Sequence, residues 1–326
     1  MKLHGIRIEV SSLQAKSSLF SVVVTCYNQE KLIEECLESV KEQSYDSLEL
    51  IICDDKSSDG SVETIRKWIE KNSKRFDNVE LIVNKRNLGI AGNHNAGLKK
   101  ASGKFVTFIH GDDKLHSKDS IAHITAFLKE QNLKFCACRI KAFLDNGDGK
   151  YIDLQVSPSE ERMPLFNLTP KKQFPLLCKG NFAPGVMVFE TSFLNELGGF
   201  DEEMRINEDW AIWLKLSRLG YQIRCSSEPF LLYRKHSQAI TVSAMNEGKK
   251  DFFEYQLRVV EKYVFPNLKV LNLLDRWSVR INVMYTRKLI ELGCNHNAHR
   301  KARLLKLLDP FSLFKAKLSS NDRTDT

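Results

Sequence analysis

Apolar runs and amphipathic stretches alternate along the first hundred or so residues of this chain. Leu19 to Thr25 is a short β-branched run, the pattern of a buried strand. Lys31 to Gln43 carries Leu32, Ile33, Cys36, Leu37 and Val40 at helical spacing, which predicts a helix with one buried face. Leu48 to Cys53 reads as a second strand. Asp59 and Gly60 then open a helix that buries Val62, Ile65 and Ile69. Val79 to Val83 predicts a third strand, Gly89 to Lys100 a short helix, and Phe105 to Ile109 a fourth strand. This βαβαβαβ rhythm predicts an α/β fold with a mostly parallel central sheet and helices on both faces. Such sheets bind ligands outside the carboxyl ends of their strands. The residues just after each strand are therefore where chemistry is expected.

The pattern continues more loosely. Ser120 to Glu130 predicts another amphipathic helix. Residues 145–180 hold Asp145-Asn146-Gly147-Asp148-Gly149 and four prolines, at 158, 164, 170 and 175. They predict an irregular excursion, a lid or acceptor loop. Val186 to Phe189 returns to strand. Glu208 to Leu219 predicts a helix with Ile212, Trp213 and Leu216 turned inward, and Phe230 to Tyr233 a last short strand. After about Ala244 the strand rhythm stops. The expected organisation is an N-terminal extension over residues 1–18, an α/β domain over 19–244 and a helical, basic region over 245–326. Ser319 to Thr326 is expected to be disordered.

Composition narrows the class. The 326 residues are 42% hydrophobic and 28% charged, ordinary values for a globular chain. Lys and Arg number 49 against 41 Asp and Glu, a formal charge of +8. Residues 251–326 hold 14 Lys and Arg against 8 Asp and Glu, so this region supplies most of that excess. Within it, His299 to Leu318 mixes apolar and basic residues around Pro310, and a basic amphipathic segment can lie on an anionic membrane surface. No apolar stretch approaches the roughly 18–20 residues that span a bilayer, and Met1 to Ser18 lacks the apolar core of a secretory signal. The eight cysteines form no CxxC pair, and several sit in apolar runs. They are expected as small buried hydrophobes in a reducing compartment.

Acidic pairs recur where strands end. Asp54-Asp55 follows one apolar run and Asp112-Asp113 another. Two close carboxylates repel, and a hard cation removes the repulsion. Mg2+ or Mn2+ is commonly shared between one or two carboxylates and substrate phosphates, so the pattern points to a diphosphate-bearing substrate. Glu208-Asp209 opens a helix, where acidic residues are favoured in any case. Its functional reading is a general base for an acceptor hydroxyl. His236 could complete a metal shell. There is no Walker A sequence, no G-x-G-x-x-G after the first strand, no G-x-S-x-G and no H-E-x-x-H. Nucleic-acid binding is not signalled.

These residues carry a resemblance. Val22-Val23-Val24-Thr25-Cys26-Tyr27-Asn28 and Cys53-Asp54-Asp55-Lys56-Ser57-Ser58-Asp59-Gly60-Ser61 resemble the opening of a family 2 glycosyltransferase. Asn87-Leu88-Gly89 with Asn93-His94-Asn95-Ala96-Gly97 is similar to the family's next motif. His110-Gly111-Asp112-Asp113 stands where its metal-binding DXD-type motif falls. Gly198-Gly199-Phe200-Asp201 with Asn207-Glu208-Asp209-Trp210 resembles the acceptor-side segment, and Tyr233-Arg234-Lys235-His236 the segment that closes the domain. The motifs keep the family's order across residues 20–240.

The resemblance implies the A-type glycosyltransferase fold over 19–244, a nucleotide-diphosphate sugar donor (UDP-, dTDP- or GDP-linked), Mn2+ or Mg2+, and inversion at the anomeric carbon. It implies that Thr25, Tyr27 and Asn28 hold the nucleotide, with Tyr27 near the base. Asp55 would bond the base ring. Asp112 would contact the ribose or sugar, Asp113 the metal, and His236 the metal or diphosphate. Asp209 would be the general base, with Glu208 second. Two departures stand out: His110 replaces the first Asp of a full D-x-D-D, and His94 replaces an Arg usual before Asn-x-Gly, as a donor contact. The expected acceptor is a saccharide or lipid-linked hydroxyl in surface-polysaccharide synthesis. The expected place is the cytoplasm, peripheral at the inner face of the cytoplasmic membrane through the C-terminal region. Two other readings compete: a sugar nucleotidyltransferase, and a non-catalytic nucleotide-sugar-binding module on the same fold.

Overall fold

A computed structural model describes residues 17–145, 151–236, 250–294 and 296–309. The strands expected in the first hundred residues form as β1 (Phe20–Cys26), β2 (Leu48–Asp54), β3 (Asn78–Val83) and β4 (Phe105–His110). Helices α1 (Ile33–Lys41), α2 (Ser61–Asn72) and α3 (Gly89–Leu98) connect them. All three pairings among these strands are parallel, with β1 between β2 and β4. The period-2 alternation of β1 decides its packing. Phe20, Val22 and Val24 point into a core with α1, while Val23 points into a second core beneath α3. Gly97 of α3 makes that approach possible, because a Cβ there would stand 2.3 Å from Val23 Cγ1.

The second half of the sheet departs from the expected parallel order. After β4 the chain runs through β5 (Lys114–Leu115), α4 (Ser120–Glu130), β6 (Phe135–Asp145) and β7 (Tyr151–Ser157). Then come α5 (Pro170–Lys179), β8 (Met187–Glu190), α6 (Thr191–Glu196), α7 (Glu208–Arg218) and β9 (Cys225–Lys235). The sheet order is β3-β2-β1-β4-β8-β6-β9-β5, with β7 also on β6. β8 runs antiparallel to both β4 and β6, and β9 runs parallel to β6. One half is therefore parallel and the other mixed. β6 escapes the hydrophobic pattern because Cys136, Ala137 and Cys138 are weak strand formers, yet all three are fully buried.

Residues 151–180 are more regular than their prolines suggest. Pro170 occupies the first turn of α5, where its missing N–H costs nothing. Gln173, buried in α5, exchanges two hydrogen bonds with Ile223, at 2.8 and 2.9 Å.

Three helices follow: α8 (Lys250–Val259), α9 (Leu273–Glu291) and α10 (His296–Lys306). They are continuous with the α/β core. Val259, Val264, Leu271, Val279 and Val283 share one cluster with Trp213 and Leu216 of α7. Helix α10 packs on α9 and α8 through Phe253, Leu289, Ala298 and Ala302. Among the described residues no helix is long and apolar enough to cross a membrane. The N-terminal extension as far as residue 16, the basic stretch beyond residue 309 and Ser319 to Thr326 lie outside the described residues. All eight cysteines are buried with free thiols, and burial pushes those of Cys26, Cys53 and Cys178 up to about 12.

Candidate active site

The carboxyl edge of the parallel strands gathers most of the expected residues. At the end of β1, Thr25 Oγ1 lies 3.0 Å from His110 Nδ1 at the end of β4. Tyr27 follows with its ring half exposed, at 51%. Asn28 adopts a left-handed backbone, φ 54°. Its Oδ1 accepts from Ser58 N at 2.8 Å and its own N–H donates to Ser57 Oγ at 2.9 Å, which ties the loops after β1 and β2 together.

Asp55 is buried and fully engaged by the protein. Oδ1 accepts from Leu88 N at 2.7 Å and Asn84 Nδ2 at 3.1 Å, and Oδ2 accepts from Gly89 N at 2.9 Å. Its carboxylate thus caps the N-terminus of α3 and satisfies main-chain donors that a helix start leaves open. Arg205 closes the same corner: its carbonyl accepts from Ile90 N, and its guanidinium donates to Asn87.

His94, expected at the donor, stands back from the edge. It is 3% exposed, and its ring packs against Phe108, His110 and Phe200 at centroid distances of 4.8, 5.5 and 5.0 Å. Neither ring nitrogen has a hydrogen-bond partner among the described residues. Burial, then the nearby His110, hold its pKa well below the usual 6.5, so the ring is neutral. The ring packs behind His110, at the end of β4.

The His110–Asp113 turn is built on Gly111. A Cβ there would stand 2.6 Å from both Gln29 Oε1 and Ile33 Cδ1. Asp112 Oδ2 meets His236 Nε2 at 3.0 Å. Burial raises the Asp112 pKa, but the His236 hydrogen bond and neighbouring His110 outweigh it and leave it below the carboxylate range. Asp113 Oδ1 accepts the Arg234 main-chain N–H at 2.9 Å. Burial, together with the Asp112 charge, pushes Asp113 well above its usual value.

Arg234 is the residue that pattern reading passed over. Its side chain is fully buried, donating to Asp112 O at 2.7 Å, Glu35 Oε2 at 2.9 Å and Asp145. A charged residue directly after the apolar run Phe230–Tyr233, still within β9, is the signal that could have found it.

Among the described residues no group of three or more His, Cys, Asp or Glu side chains stands ready to hold a metal ion. The donor set nevertheless suits a hard cation. Asp112 and His236 already converge, Asp113 is adjacent, and Mg2+ or Mn2+ needs only one or two carboxylates when substrate phosphates complete the shell.

Glu208 and Asp209 open α7 behind Asn207, whose φ of 68° turns the chain sharply into the helix. Burial raises both carboxyls, and Asp209 raises Glu208 further. Asn181 Nδ2 donates to Asp209 Oδ2 at 2.8 Å, and a Cβ on Gly185 would lie 3.3 Å from that same oxygen. β8 pairs Val188 with Thr107 in antiparallel register. Continued along both strands, that register carries Gly185 toward the end of β4, where His110 and Asp112 lie. Asn181 itself lay outside the sequence reading, within the turn-rich segment.

A cavity of about 390 Å³ lies lateral to this edge, lined by Asn95, Phe200, Asp201, Lys215, Lys262 and Tyr263. None of the acidic residues described above lines it.

Comparison with known proteins agrees with this architecture. TuaG of Bacillus subtilis, a glycosyltransferase assigned to teichuronic acid biosynthesis, is 26% identical over 261 residues, spanning 76% of this chain and 90% of TuaG. The GalNAc(5)-diNAcBac-PP-undecaprenol β-1,3-glucosyltransferase of Campylobacter jejuni is 28% identical over 250 residues, 72% of this chain and 71% of that one. The crystal structure of Staphylococcus aureus TarS residues 1–349 with UDP-GlcNAc superimposes with a TM-score of 0.58 at 17% identity, covering 93% of this chain and 92% of that one. The family described as Glycosyl transferase family 2 matches residues 21–193, more than half of the sequence, and the chain belongs to that family of glycosyltransferases.

Proposed function

We propose that this enzyme moves a sugar, with inversion, from a nucleoside-diphosphate donor to a hydroxyl of a saccharide or lipid-linked acceptor, in building a bacterial surface polysaccharide. The observation that carries the reading is the Asp209 carboxylate at the start of α7, whose Oδ2 is held by Asn181 Nδ2 at 2.8 Å. The relatives' assignments to teichuronic acid and to an undecaprenol-linked glycan support the substrate class.

In this reading Thr25, Tyr27, Asn28 and Asp55 hold the nucleotide, and His94 acts through His110. Asp112, Asp113 and His236 would hold Mn2+ or Mg2+, which when bound would stabilise charge on the leaving diphosphate. Asp209 takes the proton of the acceptor hydroxyl as its oxygen bonds to the anomeric carbon. The bond from that carbon to the diphosphate oxygen breaks with its electron pair on the diphosphate. One displacement inverts the centre without a covalent sugar–enzyme intermediate.

The test is thermal unfolding with UDP, GDP or dTDP, each with and without Mn2+ or Mg2+. A diphosphate at a hundred times its dissociation constant should add about 2.7 kcal/mol. Stabilisation by one nucleotide, requiring metal and lost in Asp113→Ala, supports the donor site. No response to any of them defeats it.

A further inference from the structure

The described surface carries its apolar exposure unevenly. Of the fourteen large hydrophobic side chains exposed among the described residues, eight lie between Val270 and Leu308. On α9, Leu273, Trp277 and Met284 follow one another at helical spacing on one face. They are 80%, 55% and 50% exposed, with Arg280 exposed between them. Leu274 adjoins the same end at 54%. Helix α10 runs antiparallel beside α9, since Tyr285 bonds His299 and Asn282 bonds Lys306. That pairing brings the exposed Leu304, Leu307 and Leu308 to the same end.

We infer that this end of α9 and α10 seats the enzyme on the surface of an anionic lipid bilayer. Charge selects the occupant. The two helices hold eight Lys and Arg and only two acidic residues, Asp275 and Glu291. Asp275 is buried and paired with Lys179 at 2.7 Å, and Glu291 with Lys288 at 2.8 Å. A second copy of this chain across a two-fold would bring the same positive excess face to face. An anionic bilayer complements it, and leucines with a tryptophan flanked by arginines are the composition that settles at a lipid interface. The apolar–basic stretch expected at His299 to Leu318 is thus preceded by a stronger surface on α9.

The other side of α9 meets the main domain. Asp275 and Asn282, half a helical turn around from Leu273, Trp277 and Met284, hold Lys179 at the end of α5, with Asp275 paired to its Nζ and Asn282 Nδ2 donating to its main-chain O at 3.0 Å. The helix thus stands between the bilayer and the segment that carries Asn181.

The test uses vesicles of phosphatidylcholine, alone or mixed with phosphatidylglycerol, and the full chain. Trp277 is the reporter, since Trp68, Trp210 and Trp213 are buried at 3%, 7% and 0% exposure. The expected result is co-sedimentation with the mixed vesicles only, weakened by salt, with a blue shift of tryptophan emission. Trp277→Phe should still sediment but lose the shift. Arg280→Glu, and separately Leu273→Ser with Trp277→Ser, should each lower partitioning by about tenfold. Equal binding to the neutral vesicles, no binding, or full binding by these variants overturns the inference. So does a concentration-dependent dimer that shields Trp277. Metal-dependent stabilisation by a nucleoside diphosphate, measured without vesicles, reads the donor site separately. Vesicle binding without it would retain the membrane seat and defeat the donor reading alone.

Discussion

Arg234 and Asp113 fasten two distant parts of the chain together: the main-chain N–H of Arg234 donates to Asp113 Oδ1 at 2.9 Å. The guanidinium of the same residue returns to the neighbouring turn, with Nε donating to Asp112 O at 2.7 Å. The strand that leads into His236 is thereby locked to the turn that bears Asp112, and the Asp112–His236 contact follows from that lock.

Removing the guanidinium should unmake the turn. Arg234→Met removes a buried guanidinium from Asp145, Glu35 and the Asp112 carbonyl and is expected to cost about 3 kcal/mol in urea unfolding. Metal-dependent nucleotide binding should fall with it. Arg234→Lys keeps a charge but lacks the fork that reaches Asp112, Asp145 and Glu35 at once. It should recover part of the stability and little of the binding. Undiminished binding in Arg234→Met would show that the turn does not need the lock.

Asp209→Asn should lower kcat by about 10²–10⁴-fold while leaving the nucleotide dissociation constant unchanged. The pH profile gives a finer check. Asp209 must be ionised to act, and burial raises its pKa, so activity climbs as pH rises through a value above the usual carboxylate range. The Asn181 hydrogen bond favours the ionised form. Asn181→Ala should therefore shift that acid limb to higher pH, whereas a merely structural role for Asn181 would leave the limb in place.

His94 couples stability to acid. Its folded pKa lies well below the ordinary 6.5 because burial, then His110, disfavour the charged ring. The unfolded chain therefore binds the extra proton first. Stability is fully present above pH 6.5 and is lost as the pH falls beneath it. His110 is depressed in the same direction, again through burial. His94→Phe should flatten, but not abolish, the fall in melting temperature between neutral and mildly acid pH. An unchanged slope would mean that the ring is not held neutral.

Asp55 can be tested as a cap. Asp55→Ala leaves Leu88 N and Gly89 N without their acceptor and should cost about 1–2 kcal/mol. Asp55→Asn keeps one oxygen and should cost less. If Asp55→Asn retains stability and loses nucleotide binding, the carboxylate reads the base as well as capping α3.

Much of this was legible in the sequence, and the reasons differ by element. β1 and β2 announced themselves because Val, Ile and Leu fill buried parallel strands on both faces. Helices α1 and α7 were legible from apolar residues at 3.6 spacing. β6 was not, because its inner residues are Cys and Ala, small enough to pass for any buried segment. The prolines at 170 and 175 pointed to a loop, but Pro170 sits where a helix tolerates it and the buried Gln173 and Phe174 hold the rest in place. At the site, residue types and order put Asp54-Asp55 and Asp112-Asp113 at strand ends and Glu208-Asp209 at a helix start. They could not reveal that Asp55 serves a helix start, that His94 sits inside an aromatic ring, or that Asn181 and Arg234 hold the acidic groups. Those relations depend on contacts between segments as far as 199 residues apart.

The eight buried thiols have a practical consequence. With Cys26, Cys53 and Cys178 at about 12 and none of the eight at the surface, the native chain should be silent to maleimide reagents near neutral pH. A cysteine introduced at Leu273 or Tyr27 would then be the sole reactive handle, without deleting any native one. Dyes or spin labels placed singly at these two positions would report whether donor and bilayer engage the enzyme together or in turn.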